Sequence, residues 1–452
     1  MSVKVAKFGG SSVADAKQIK KISTIILDDP TRKFVIVSAP GKRHENDFKM
    51  TDILILLAET YNNQDVFENY LDIIIKRFSE IITDLNLPST LIHEIKDTII
   101  STISSDLPYV RKLDAIKALG EDCNAKVIST YLESIGVNAT YMNPKDAGIV
   151  VSNEPGNAQI LQESFQSLYE LREHHCDVLV IPGFFGYSKE GHIVTFSRGG
   201  SDITGAIVAA GVQANLYENF TDVDSVFTVN PNIVNNPKEI KTLTYKEMRE
   251  LSYAGFSVFH DEALIPAFRR SIPVAIKNTN NPSLPGTLVV SEKQKQENCV
   301  VGIASDTGFC TLYVGKYLMN RELGFGRKLF HILENESVSF EHTPSGIDDM
   351  SVIIREHQLT PEKEAKIMKK IKEELKADTV SIHHNLAIIM IVGEGIMNTI
   401  GIAKKATTAL TDAGVNINMI NQGSSDVSMM FGINAEDIDS AIQSLYHEFF
   451  EN

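Results

Sequence analysis

"KFGGSSVAD" (residues 7–15) is the stretch whose reading decides the fold. A lysine precedes two glycines and two serines, and a helical pattern begins directly behind them. It has neither the G-x-x-x-x-G-K-[ST] order of a P-loop nor the G-x-G-x-x-G of a dinucleotide site. In "VKVAKFGG" Val3 and Val5 share one face of a strand and Lys4 takes the other, so Lys7 emerges as the strand ends. Gly9 and Gly10 let the backbone approach a ligand closely. Ser12 and Asp15 have the S-x-x-D spacing of a capping box. The free N–H groups and positive dipole of the helix start then lie beside the lysine. Together these features predict a phosphate site.

The rest of the chain sets that site in context. From residue 1 to about 290 short apolar strands alternate with amphipathic helices. "VKVAKF", "FVIVSAP", "VNATYM" and "DVLVIPGFF" read as strands. "ADAKQIKKISTIIL" reads as a helix with Ile19, Ile22 and Ile26 on one face, and a long helical block spans about 50 to 135. This alternation predicts an α/β domain with a mostly parallel sheet covered on both sides and a ligand at the carboxyl ends of its strands. The turn-rich, polar stretch "SLPGTLVVSEKQKQENC" marks a domain boundary. Beyond it, residues 338–354 align without a gap on residues 415–431, an offset of 77 (338 against 415). Val338 falls on Val415, Gly346 on Gly423, Asp349 on Asp426 and Ser351 on Ser428. Each copy reads strand, helix, strand, strand, helix, the pass of a ferredoxin-like βαββαβ module.

With 452 residues there is room for two or three domains. The formal charge of -15 argues against a nucleic-acid or anionic-membrane partner, so any bound phosphate must be met by locally placed cations and N–H groups. Four widely spaced cysteines form no C-x-x-C pair, which suits a reducing compartment. No apolar run approaches the ~20 residues of a membrane span, and "MSVKVAKF" reads as a strand and not a secretion signal. A cytoplasmic protein is expected.

Two further segments carry chemistry. In "FSRGGSDITG" Gly199 and Gly200 precede Ser201 at a helix start, giving a second anion nest beside Arg198 and Asp202. Arg198 suits a bidentate grip on a carboxylate. Asp202 stands in the first helical turn, placed to hold Lys7 or to bind a metal through water. In "YENFTDVDSVFTVNP" Asp222 and Asp224 stand just past a strand, where acids receive ribose hydroxyls or Mg²⁺, and Phe227 is placed to flank a base.

Read together, "KFGGSSVAD", "VSAPGKR", "KMTD", "GED", "FSRGGSD", "TDVDSVFTVNP" and "NTNNPSLPGT" occur in the order of the amino-acid kinase superfold. With the C-terminal repeat, the chain resembles the aspartate kinases over essentially its whole length. The resemblance implies a catalytic domain at 1–295 and two ACT regulatory domains at 300–380 and 381–452. It implies phosphorylation of the side-chain carboxylate of L-aspartate by ATP, giving 4-phospho-L-aspartate, the entry to lysine, threonine and methionine synthesis. It also implies that Lys7 neutralises the transferring phosphoryl group and Asp202 orients Lys7. Gly9, Gly10 and Ser11 line the phosphates, while Thr221, Asp222 and Phe227 frame adenosine. Arg198 clamps a carboxylate of aspartate and Glu121 takes its ammonium. Ser38, Thr51, Phe184 and Ser201 complete that pocket. Mg²⁺ is held mainly by the ATP phosphates, with no dedicated protein metal site. A homodimer or a dimer of dimers is expected through the ACT domains. Lysine, threonine or both would bind near Gly326, Glu341 and Ser345, with Glu341 receiving the ammonium.

The chemistry agrees with the residues. An aspartate carboxylate, with a pKa near ~3.9, is already ionised at pH 7 and needs no general base; the glycine-rich motifs contain no histidine. His260 is expected to be structural. Two positions depart from the family pattern. Ser257 in "GFSVFHD" stands where a phosphate-contacting lysine is common, and Asn232 where an arginine often follows; Lys277 is a candidate substitute cation. The competing readings are a kinase of another amino acid on the same fold, and an amino-acid sensor whose kinase site has weakened.

Overall fold

The computed structural model describes residues 2–61, 63–197, 199–256, 262–293, 299–396, 398–422 and 427–451. Arg198, Ser257, His260, Gly423 and Asp426 lie outside the described residues. The chain forms two compact units. One comprises Met1–Val226, Glu239–Met248 and Val258–Gln294; the other comprises Phe227–Lys238, Arg249–Ser257 and Lys295–Asn452.

The chain opens with β1 (Lys4–Phe8), α1 (Ala16–Leu27) and β2 (Phe34–Val37), then four helices: α2 (Met50–Glu59), α3 (Gln64–Asp84), α4 (Thr90–Ile103) and α5 (Tyr109–Ser134). There follow β3 (Ala139–Tyr141), α6 (Ser164–Glu170), β4 (Val178–Pro182), β5 (Phe185–Tyr187), β6 (Ile193–Thr195), α7 (Gly200–Gly211) and β7 (Leu216–Thr221). Next are β8 (Val226–Phe227), β9 (Glu239–Ile240), β10 (Thr242–Thr244), α8 (Tyr245–Tyr253), α9 (Ile265–Arg269), β11 (Val274–Asn278) and β12 (Thr287–Val290).

In the first unit eight strands make one sheet in the order β10-β12-β11-β7-β1-β2-β4-β3. Every pairing is parallel except β11 with β12. β2 (FVIV) and β4 (VLVIP) are buried at every position, as strands covered on both faces must be. Ile19, Ile22 and Ile26 of α1 sink into a core shared with Phe78 of α3 and Ile128 of α5. The expected capping box does not form. A 3₁₀ turn, Gly10–Val13, comes first, and it moves the helix N-cap from Ser12 to Asp15, whose carboxylate accepts from the Gln18 N–H at 2.8 Å. Ser12 is thereby turned inward, its hydroxyl 2.6 Å from that of Thr279.

One ion cluster is buried under this sheet. Arg32 grips Glu218 through Nε at 2.6 Å and Nη2 at 3.0 Å, and Lys277 stands 3.6 Å from the same carboxylate and over the Phe220 ring. Lys277 is in register with Phe220, and Lys7 with Asn219, one position along. Because successive residues face opposite sides of a sheet, Lys277 points away from the face that carries Lys7. It is committed to Glu218 and is not the substitute cation that the sequence suggested.

The second unit contains β13 (Gly302–Gly315), α10 (Phe325–Asn335), β14 (Asp349–Arg355), α11 (Pro361–Glu374), β15 (Thr379–Val392), α12 (Ile402–Asp412), β16 (Ile417–Asn421), β17 (Ser428–Asn434) and α13 (Ile438–Tyr446). Part of the repeat is exact: β13 maps onto β15 and α10 onto α12 at the same offset, but where the second copy has β16 the first has only isolated bridges at His342 and Ser345. Yet the copies are interlocked in a single antiparallel sheet, β14-β13-β15-β17-β16. The far half of β13, Phe309–Gly315, pairs with β14 and with the start of β15. Its near half, Gly302–Asp306, pairs with Ile388–Val392 at the end of β15, which then runs beside β17. β15 runs through the boundary expected at 380/381. Two cores result, one around Leu312, Leu329, Ile354 and Ile371 and one around Ile389, Leu410, Phe431 and Ile442.

Glu218→Leu strands the buried Arg32 charge and is expected to cost about 3–5 kcal/mol. Replacing both partners (Arg32→Met with Glu218→Leu) should recover most of that loss. Denaturant unfolding of the two variants beside the wild type checks it.

Candidate active site

The parallel strands of the first unit release their chains at one edge, and the site forms where they do. Lys7 is the penultimate residue of β1 and only 6% exposed. A buried ammonium needs a partner, and Lys7 has one: Nζ lies 2.6 Å from Oδ1 of Asp202 in the first turn of α7. The same Oδ1 accepts from Nδ2 of Asn219 at 2.6 Å. Behind Lys7 the Gly9 N–H donates to the Phe220 carbonyl at 3.0 Å, which folds the glycine loop over the end of β7. The next crossing is tighter. Gly41 donates its N–H to the Gly10 carbonyl at 2.9 Å, and a Cβ at Gly41 would come within 2.5 Å of Gly10 backbone. Arg77 of α3 braces this crossing, donating to the Gly41 carbonyl at 3.1 Å while paired with Asp47 at 2.7 Å.

Lys7, Ser38, Thr51, Glu121, Phe184, Gly199, Gly200, Ser201 and Asp202 line one cavity of about 200 Å³. The expected amino-acid group thus converges, apart from Arg198, which lies outside the described residues. Ser38 follows β2 and is fixed by Asn124 of α5, whose Nδ2 donates to its carbonyl at 2.7 Å. Thr51 enters from the first turn of α2. Phe184 holds a left-handed backbone (φ 77°), unusual for an aromatic residue. Its N–H donates to the Thr204 hydroxyl at 2.9 Å and its carbonyl accepts from Phe196 at 2.8 Å. Strain held in this way is typical of sites where a side chain must face a ligand.

Glu121 is the most perturbed group here. Burial pushes its carboxyl up to about 8, although hydrogen bonds from the Ala39 N–H and the Ser201 hydroxyl and the charge of Lys7 pull the other way. Its Oε2 is buried without a hydrogen-bond partner. A cation arriving in the cavity would satisfy that oxygen.

The nucleotide group is placed less compactly. Gly9, Gly10 and Ser11 are half-buried beside Lys7, and Thr221 and Asp222 follow at the end of β7. Asp222 accepts from the Thr221 hydroxyl at 3.2 Å, and Asp224 is held by Asn278 at 2.7 Å. Phe227 belongs to the other compact unit, and Ser257 lies outside the described residues.

This geometry meets close relatives. Residues 2–278 match the model of the amino acid kinase family, and residues 389–449 match an ACT domain. Aspartokinase 3 of Bacillus subtilis is 55% identical over 449 residues, covering 99% of both chains. The chain belongs to the aspartokinases. The crystal structure of Clostridium acetobutylicum aspartate kinase superposes with a TM-score of 0.86 at 40% identity, over 99% of this chain and all of that one. That of E. coli aspartokinase III in complex with aspartate and ADP gives 0.80 at 24% identity, over 99% of this chain and all of that one, a likeness of fold.

In the second unit of this aspartokinase the expected effector residues separate into two places. Gly326 stands in the first turn of α10 with Met350 beside it, and Ser345 bridges to Met350. Glu341 lies further along the hairpin, its N–H donating to the Ile353 carbonyl, and its carboxylate is already held by the Tyr253 hydroxyl and by Arg355 at 3.4 Å.

Sequence reading missed the supports of the site: Asn219 and Tyr217 under Asp202, and Arg77 behind Gly41. The first pair did leave a trace, because the polar letters of "LYENFT" are out of place in a strand buried on both faces. Arg77 left none, being one charge among many on a long helix.

Gly41→Ala forces the two loops apart. We expect it to lower kcat/KM by about tenfold or more, since small misplacements are costly in positioned catalysis. Steady-state kinetics with each substrate varied in turn checks this.

Proposed function

We propose that the site transfers the γ-phosphoryl group of ATP to the side-chain carboxylate of L-aspartate. The observation that carries this reading is the single cavity in which Lys7, Asp202, Ser38, Thr51, Glu121, Phe184 and Ser201 meet, in a chain 55% identical to an aspartokinase. A carboxylate oxygen of aspartate forms the new bond to the γ-phosphorus. The bond from that phosphorus to the β–γ bridging oxygen breaks, and ADP leaves with the electron pair. No proton moves, so the protein has only to position two anions and cancel charge. Lys7 does the cancelling, and the backbone of Gly9, Gly10 and Ser11 lies against the phosphates. Glu121 receives the ammonium of aspartate, and Phe184 closes over it. Two of the nearby acids are engaged already, Asp202 by Lys7 and Asn219 and Asp224 by Asn278, and Glu121 is given to the substrate ammonium. We therefore infer that Mg²⁺ enters bound to the triphosphate.

We further propose the division of labour read from the sequence, with 1–295 catalytic and the two modules from 300 to 452 regulatory, although these share β15 and do not part at 380/381. An end-product amino acid, lysine, threonine or both, binds beside Gly326 and Ser345, and an ammonium that reaches Glu341 must displace Arg355. Inhibition extends only as far as the effector prefers one conformation over another. The enzyme works in the cytoplasm as a homodimer or a dimer of dimers.

Trapping the acyl phosphate with hydroxylamine tests the reaction. Product is expected with aspartate and not with glutamate or N-acetylglutamate; turnover confined to either of those two would defeat the assignment. Lys7→Ala should lower kcat by about 10²–10³-fold, as removal of one transition-state donor does.

Glu121 supplies a pH signature. At pH 7 its carboxyl in the empty pocket is protonated, so binding the substrate ammonium must release that proton. The KM for aspartate should fall as pH rises toward about 8, by up to about tenfold per unit, and level off above. In Glu121→Gln the KM is higher and loses this slope; a wild-type KM flat from pH 6 to 8 contradicts the role.

A further inference from the structure

We propose that Asn219 is a positioning residue for phosphoryl transfer, its side-chain amide fixing the Asp202 carboxylate that holds Lys7. The proposal rests on the roles given above to Lys7 and Asp202. Asn219 lies inside β7, is 3% exposed and sits in register with Lys7 on the adjacent strand. An amide is costly to bury in the middle of an apolar sheet unless it is hydrogen-bonded. Here Nδ2 donates to Oδ1 of Asp202 at 2.6 Å, a short charge-assisted bond to the very oxygen that Lys7 contacts.

Tyr217, two residues earlier and so on the same face of β7, completes the support. Its hydroxyl donates to the backbone carbonyl of Asp202 at 3.2 Å and lies 3.3 Å from Nδ2 of Asn219. That hydroxyl reaches α7 only because residue 205 is glycine, where a Cβ would stand 2.3 Å from it. The strand thus holds Asp202 by its main chain and its side chain at once.

The neutrality of the amide matters as much as its position. A second cation at 219 would compete with Lys7 for the carboxylate, and an acid would repel it. An amide fixes the carboxylate and adds no charge. Lys7 has three N–H donors, and one bond to Asp202 suffices to aim the others at phosphoryl oxygens.

Three variants and one cycle test this. Asn219→Leu should lower kcat by about 10–100-fold, with both KM values changed less than about threefold. In an Asp202→Asn background the same change should cost less than about twofold, because a residue that acts through Asp202 has nothing left to position. Equal losses in the two backgrounds would overturn the proposal.

Asn219→Asp preserves shape should the leucine variant fail to fold. It sets two carboxylates face to face, with Lys7 on β1 and Glu121 on α5 as the other ionisable groups near Asp202 and Tyr217 behind it. Its kcat should rise relative to wild type as pH falls from 8 to 6 and the pair comes to share a proton; profiles that stay parallel sink the idea. Full activity in Asp202→Asn alone would remove the Lys7–Asp202 reading and this proposal with it. A dead Asp202→Asn enzyme beside unimpaired Asn219 variants removes only the proposal.

Discussion

The site in the first unit is arranged around a buried ammonium at 2.6 Å from a partly buried carboxylate. Neither group is affordable there alone, since an unpaired buried charge costs several kcal/mol. The pair also fixes geometry, because Lys7 comes from the sheet and Asp202 from a helix that starts above it. For them to meet, β1 and β7 must be neighbours, α7 must begin at the strand ends, and the glycine loops must stay thin enough to leave a cavity between. The parallel order β7-β1-β2-β4 supplies all of this at one edge. The arrangement suits a reaction between two anions, in which fixed dipoles and one cation stand in for the water that would otherwise surround them.

The sequence made the architecture readable wherever a pattern had one physical meaning. Unbroken apolar runs such as "FVIV" can be satisfied only between two layers of helix, and Ile19, Ile22 and Ile26 can share a face only at helical spacing. The place of Lys7 at the mouth of the site was legible because a lysine before paired glycines at a strand end has few other uses. Much of the pocket, Ser38, Thr51, Glu121, Phe184 and Ser201, was legible only through the family resemblance, since no local rule sets a serine after β2 opposite a glutamate on α5. The helix start was misread by three residues, because Ser12 and Asp15 are both good caps and spacing alone does not reveal a 3₁₀ turn between them. Lys277 was misread for a different reason: a strand residue's usefulness depends on its face, and the face depends on a register that only pairing with β7 defines.

What was not legible is the layer beneath the residues that line the cavity. Asn219, Tyr217 and Arg77 act on residues 17, 15 and 36 positions away in the chain. Their partners were created by folding, and no short pattern encodes them. The regulatory half teaches a related lesson. Its duplication was plain at the level of residues, and strand, helix, strand, strand, helix describes the second copy, while the first has only isolated bridges at His342 and Ser345 where its middle strand was expected. The way the copies share strands was not, because periodicity tells how many strands exist and is silent about which strand each one borders.

That sharing bears on how such a protein can change over evolutionary time. Gly302–Asp306, which pairs with the end of β15, is the near half of the same strand whose far half pairs with β14. No single cut in the gene therefore releases either half as a finished sheet, and each fragment would carry a raw edge ready to pair with other chains. A lineage can tune the two halves separately by substitution, but it must inherit, lose or transplant them together.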